Sequence, residues 1–188
     1  LGVGISYLQM DEPQHAKPFV ERAVELSPAD GRTWVALGAL LEREGDDPAA
    51  LDAYLAASER LESSPELKRN LLYAYARAGR YHEVVGTARS ILSDGPSADA
   101  AERMAWAWFR LGRYERSAEA YIQAIQFDPN MWQAWNGLGV NAVNRWLLSG
   151  KTDADSRAEA VTAFKASLQL NTSQPKVVQL VSEYGLSF

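Results

Sequence analysis

The chain contains no cysteine in its 188 residues. That excludes disulfides, thiol nucleophiles and thiolate-held metals together, and it fits an oxidising or a reducing compartment equally. Its two histidines, His15 and His82, lie far apart in sequence without metal-like spacing. His82 falls at a turn and reads as a surface residue. No Ser/His/Asp order, phosphate loop or His-Glu-x-x-His helix occurs, so neither catalysis nor a cofactor is expected. No stretch approaches the ~18 uninterrupted apolar residues of a membrane span, and no basic-then-apolar leader is visible. Positive charge is also scarce. Lys and Arg number 19 against 24 Asp and Glu, a net charge of −5, whereas general nucleic-acid binding calls for a basic footprint.

What is present is apolar and periodic. Hydrophobic residues make up 47% and charged residues 23%, enough for a packed core and inconsistent with wholesale disorder. Tyr7, Leu41, Tyr75, Trp108 and Ala142 recur at steps of 34, 34, 33 and 34 residues, and Val3, Leu37, Leu71, Met104 and Leu138 recur in step with them. Gly45, Gly79 and Gly112 form a third column. Such self-similarity implies an array of small units, each hiding its apolar side against the next, with function carried on the surface.

Each unit reads as a helical hairpin. In the second, Asp30 is placed to cap a helix carrying Trp34, Leu37 and Leu41, Gly45 ends it, and Asp47-Pro48 restarts the chain, with Asp47 as N-cap. The return helix carries Ala50, Leu51, Tyr54, Ala57 and Leu61. The third unit opens at Ser64-Pro65, with Ser63 and Glu66 spaced as a capping box. Gly79-Arg80-Tyr81 and Gly112-Arg113-Tyr114 mark equivalent turns. The first unit enters partway through its opening helix, as a piece of a longer array would. The expected units are 1–30, 31–64, 65–97, 98–131 and 132–174, forming a single array over 1–188.

The fifth unit breaks the rhythm, because Tyr121 to Phe164 is 43 residues. An insertion near 144–154 is expected, with a longer first helix, a loop at Ser149–Asp153 and Ser156 with Glu159 as a capping box. Trp146-Leu147-Leu148 there is either extra core or an exposed apolar knob. A terminal helix over 175–185 should turn Val177, Val178, Val181 and Tyr184 inward, with Lys176, Gln179 and Glu183 wet.

These residues resemble the tetratricopeptide repeat family. Trp34, Leu37, Gly38, Gly45, Tyr54 and Ala57 match its signature columns. Trp135, Leu138, Gly139 and Phe164 do the same, as do Gly112, Tyr114, Tyr121, Ala124 and Asp128-Pro129. Lys68 and Ala101 depart from an aromatic column, and Val84 and Ser117 from an alanine one. The resemblance implies an all-α, right-handed α-solenoid of about five helix-turn-helix units plus a C-terminal capping helix. Its first helices would line a concave groove for another protein. Physically, the large residues fill space that Gly38, Ala57, Ala124 and Gly139 open across helix crossings.

On that expected inner face, spacing selects Arg69, Asn70, Tyr73 and Arg77 in the third unit, and Arg103, Trp106, Phe109 and Arg110 in the fourth. The fifth contributes Gln133, Asn136, Val140 and Asn144. Arginine bonds carboxylates bidentately and stacks on aromatics, so an extended or helical, acidic segment of a partner protein suits the patch. A carboxylate clamp of the kind some tetratricopeptide domains use is unsupported, because Arg69 and Tyr73 stand where it needs Lys and Asn. Gly137-x-Gly139-x-x-Ala142 matches a dinucleotide fingerprint only on paper, since it should lie inside a helix. Glu42, Glu44, Asp46 and Asp47 read as a helix end, a cap and a wet turn, and Asn171-Thr172-Ser173 is a formal glycosylation acceptor. The expected function is non-catalytic protein recruitment. The alternatives are a regulatory or substrate-presenting region of a larger enzyme such as a glycosyltransferase, and a self-assembling module built on Ile5, Tyr7 and Leu8.

Overall fold

The computed structural model describes residues 1–62 and 64–186. Among the described residues there are eleven α-helices and no strand. They pair as hairpins: α1 (Gly2–Gln9) with α2 (Pro13–Leu26), α3 (Gly31–Glu44) with α4 (Asp47–Ser58), and α5 (Pro65–Arg77) before α6 (Tyr81–Asp94). Then follow α7 (Ala98–Arg110) with α8 (Tyr114–Phe127), α9 (Trp132–Leu148) with α10 (Ala154–Leu170), and a last helix α11 (Pro175–Glu183). Packing gathers them into two compact units, Leu1–Thr87 and Ala88–Phe188, divided inside α6. No helix among the described residues is long and apolar enough to cross a membrane.

Side-chain caps fix the helix starts. Asp30 Oδ1 accepts the Arg32 N–H at 3.0 Å, Ser64 Oγ that of Leu67 at 3.1 Å, and Ser97 Oγ that of Ala100 at 3.2 Å. Two caps fall elsewhere than the sequence suggested. Asp46, not Asp47, caps α4 by accepting the Ala49 N–H, which puts Pro48 at the second helical position. Asp153, not Ser156, caps α10; it accepts the Ser156 N–H and hydroxyl at 3.0 and 2.5 Å, so Ser156 lies inside the first turn. In both cases the earlier acid reaches the exposed amides, and the later residue already has helical backbone. The Ser63 half of the expected capping box lies outside the described residues. Gly79 and Gly112 adopt φ of 69° in equivalent turns, a left-handed conformation costly for residues with a Cβ.

In the first unit, Ala50, Leu51, Tyr54, Ala57, Leu67 and Ala74 form one core. Tyr54 is fully buried, and its ring fills the space above Gly38; a Cβ there would stand 2.6 Å from Cε1. The tyrosine hydroxyl donates to Glu42 Oε2 at 2.5 Å. Burial, then the Glu42 hydrogen bond and charge, raise the phenol's pKa and keep it a donor. Glu42 also pairs with Arg77, whose Nε lies 2.7 Å from Asp47 Oδ1, and Glu44 takes Lys17 at 3.0 Å. The acidic cluster is therefore not simply a wet turn. It ties α3 to α2, α4 and α5. Of the N-terminal apolar residues, Leu8 is buried and Tyr7 stacks on Phe19 with ring centroids 5.9 Å apart, leaving Val3 and Ile5 the more exposed.

The second unit repeats the device. Tyr121 lies against Gly137 and Phe164 against Gly139, where a Cβ would meet ring atoms at 2.3 and 2.6 Å. Ser117, in the alanine column, is fully buried and donates its hydroxyl to the Ala105 carbonyl at 2.9 Å, so the departure is hydrogen-bonded. The fifth hairpin is longer: 17 residues in α9 against 13 in α7, and 17 in α10 against 14 in α8. An Arg145–Glu159 ion pair joins its helices. Its apolar tip divides, with Trp146 buried, flanked by Lys151 and Arg157, and Leu148 67% exposed. On α11, Val177 is buried, but Val178 is 52% exposed, contrary to expectation. Leu180 packs in its place, beside Val181 and Tyr184 as expected, because positions 177, 180, 181 and 184 share one face at helical spacing.

Candidate functional site

Within the second unit, α7 and α9 run beside each other above Tyr121 of α8 and enclose an open cleft of about 360 Å³. Trp106, Phe109, Trp132 and Val140 give it apolar walls, and Glu102, Arg110, Gln133 and Asn136 are its polar lining. The helical period explains the grouping. Glu102, Trp106 and Phe109–Arg110 succeed one another by a turn on α7, as do Trp132–Gln133, Asn136–Gly137 and Val140 on α9. Gly137 lacks a side chain where the Tyr121 ring approaches, so an aromatic of the core also faces the cleft.

The cleft mixes aromatic surface with hydrogen-bond acceptors. Asn136 Oδ1 is buried and has no hydrogen-bond partner among the described residues. Glu102 is largely buried. Burial raises its carboxyl pKa; Arg103 pulls it back, and Asp99 adds a smaller upward push. The Arg103 Nε lies 3.6 Å from Glu102 Oε2, an ion contact longer than a hydrogen bond. Burial, followed by the neighbouring Glu102 charge, raises the Tyr121 phenol as well. Arg110 is exposed, its guanidinium 5.3 Å from the Trp106 ring. Phe109 is held edge-on by Tyr114 at 5.5 Å.

Six of the sequence-selected residues therefore share one cleft: Trp106, Phe109, Arg110, Gln133, Asn136 and Val140. Arg103 is half-buried next to Glu102, and Asn144 is half-buried on α9 beyond the cleft lining. In the first unit, Arg69 is exposed and Tyr73 half-buried on α5. Asn70 lines a separate cavity of about 680 Å³ between α1, α3 and α5, walled by Ile5, Leu8, Val35 and Ala39. Arg77 is engaged by Glu42 and Asp47 of its own unit.

The sequence reading did not select Glu102, Tyr121 or Trp132 for the site. Glu102 stands one turn before Trp106, and Trp132 one turn before Asn136, so spacing alone could have added them. Tyr121 belongs to the packing column, and only the missing side chain at Gly137 lets it reach the cleft. The Gly137–Ala142 fingerprint lies well inside α9, with both glycines against aromatic rings. No group of metal-ligating side chains occurs among the described residues.

Two tetratricopeptide repeat profiles match the sequence, one over residues 98–131 and one over residues 3–65, together slightly more than half the chain. A segment of 86 residues, 45% of this chain, is 30% identical to small glutamine-rich tetratricopeptide repeat-containing protein 2 of Mycosarcoma maydis. It covers 24% of that protein, so the matched part spans about a quarter of the curated relative's length. Among solved structures, MamA from Desulfovibrio magneticus RS-1 superposes with a TM-score of 0.79 at 17% identity, over 92% of this chain and 93% of that one. YrrB, described as a TPR protein with an unusual peptide-binding site, superposes with a TM-score of 0.78 at 11% identity, over 95% of this chain and 88% of its own. At such identities the likeness concerns the fold.

Proposed function

We propose, from the premise that this chain belongs to the tetratricopeptide repeat family, that it is a non-catalytic scaffold recruiting another protein by an extended segment. In the second unit the cleft between α7 and α9 anchors the segment. One observation carries the reading: an open cleft with four apolar walls, Trp106, Phe109, Trp132 and Val140, also presents the polar residues Glu102, Arg110, Gln133 and Asn136. Apolar surface with a few fixed polar groups is what recognition of a peptide side chain needs. That a protein of the same fold, YrrB, is described by its peptide-binding site supports the assignment.

An acidic residue of the segment lies beside Arg110, whose guanidinium is exposed over the Trp106 ring. The wider arginine patch expected from sequence contributes less, since Arg77 is spent on Glu42 and Asp47 and Arg103 sits beside Glu102. Recruitment is also what a substrate-presenting region of a larger enzyme performs, so that alternative changes the cargo and not the groove. The test is selection of random dodecapeptides on the immobilised chain, followed by rebinding to a Trp106→Ala/Val140→Asp variant of unchanged helicity. Loss of rebinding supports the reading; equal retention by the variant removes the cleft from it.

A further inference from the structure

Trp108 carries two cations. The Arg89 guanidinium, from α6, lies 5.7 Å from its ring centre, and that of Arg116, from α8, lies 5.0 Å away. All three residues belong to the second unit. The indole is buried and both arginines are exposed, so one fixed ring sets where two wet guanidiniums stand. Elsewhere in this acidic chain arginines meet carboxylates, as Arg32 meets Asp30, Arg43 Asp11, Arg77 Glu42 and Arg145 Glu159. Arg89 and Arg116 meet none among the described residues, although Glu115 and Glu119 lie near Arg116 in α8. Arg113, exposed one turn before Arg116, adds a third positive charge. Stacking on a ring uses no N–H, so the in-plane donors of both forks stay open.

We propose that Arg89 and Arg116, held on Trp108, form a binding site for a phosphoryl group. Two cations gathered on one ring repel each other, and an anion received by both relieves that repulsion. A carboxylate has a single charge and fills one fork. A phosphoryl group has close to two charges at pH 7 and three outward oxygens, enough for both guanidiniums. Trp108 stands two residues after Trp106, about 200° around α7, and is not part of the cleft lining. The phosphoryl site is therefore separate from the peptide cleft, and both can be filled at once.

The probe is inorganic phosphate, read from the Trp108 indole signal in ¹H–¹⁵N spectra at constant ionic strength. Phosphate should move that signal to saturation, and chloride should leave it in place. Arg89→Gln and Arg116→Gln, each checked for the wild-type melting temperature, should weaken the response about tenfold, or ~1.4 kcal/mol in binding free energy. Acetylated decapeptide pools with one fixed phosphoserine, serine or glutamate then identify the source of the group. Tighter binding of the phosphoserine pool than of phosphate marks a phosphorylated segment of a partner protein. Equal or weaker binding marks the free ion. A Trp108 signal that ignores phosphate, answers chloride equally, or still responds in both variants overturns the proposal. A glutamate pool that moves it as strongly as the phosphoserine pool overturns it too.

Discussion

Replacing Gly38 by alanine separates packing from propensity. In an exposed helix interior the change should stabilise by ~0.8–1 kcal/mol, because alanine loses less backbone entropy. At Gly38 the new Cβ would stand 2.6, 2.7 and 2.9 Å from Cε1, Cδ1 and Cζ of Tyr54. That ring cannot swing away easily: it is fully buried, and its hydroxyl is held by Glu42 at 2.5 Å. Overpacking of this kind costs ~1–3 kcal/mol, so the net effect is destabilisation by about 1 kcal/mol, a loss of roughly 2–4 °C in Tm. Gly86→Ala is the control. It lies inside α6, is exposed, and has nothing within 4 Å of its ideal Cβ, so it should gain up to ~1 kcal/mol. Combining Gly38→Ala with Tyr54→Leu should cost less than the two changes summed. Thermal and urea melts of the five proteins decide it. If Gly38→Ala stabilises as Gly86→Ala does, the large-on-small packing of these hairpins is refuted.

Three further outcomes follow from individual residues. Tyr121→Ala should destabilise the second unit by ~3–5 kcal/mol and lower the urea midpoint, since it empties the space above Gly137. Ser117→Ala should shift the melt by no more than ~1 kcal/mol, because it removes one hydroxyl bond to Ala105 and restores the residue usual in that column. The Glu102 carboxyl titrates above its ordinary value of 4.5, so its contribution to stability is complete below that value and is lost as pH rises through the raised one. Glu102→Gln should therefore melt higher than the wild type at about pH 7, with the gap closing toward about pH 4 in paired thermal scans.

Much of the architecture was legible because one physical need recurs: each hairpin must hide a greasy side, so the same sizes return in the same columns. Gly38 with Tyr54 and Gly139 with Phe164 are that need in atomic form. Cap positions were less legible, since Asp46 and Asp47, or Asp153 and Ser156, compete for the same exposed amides and only backbone geometry decides. Val178 looked inward because it is apolar, yet the short α11 buries just one stripe. The site was half legible. Helical spacing gathered Trp106, Phe109, Arg110, Asn136 and Val140, but counting arginines overstated the positive charge. The partners of Arg77 come from a different hairpin, 35 and 30 residues away, which no local pattern reveals.

The tryptophans offer the most direct test of where recruitment occurs. Of the six, Trp34 and Trp135 donate their indole N–H groups to the carbonyls of Pro28 and Pro129, each at 2.9 Å. Trp108 is flanked by Arg89 and Arg116, and Trp146 by Lys151 and Arg157, while Trp106 and Trp132 line the cleft. In a ¹H–¹⁵N NMR titration with a selected peptide, the indole signals of Trp106 and Trp132 should move and the other four should hold. Movement of Trp34 or Trp146 with Trp106 and Trp132 unmoved would place the recruiting surface elsewhere and contradict the account.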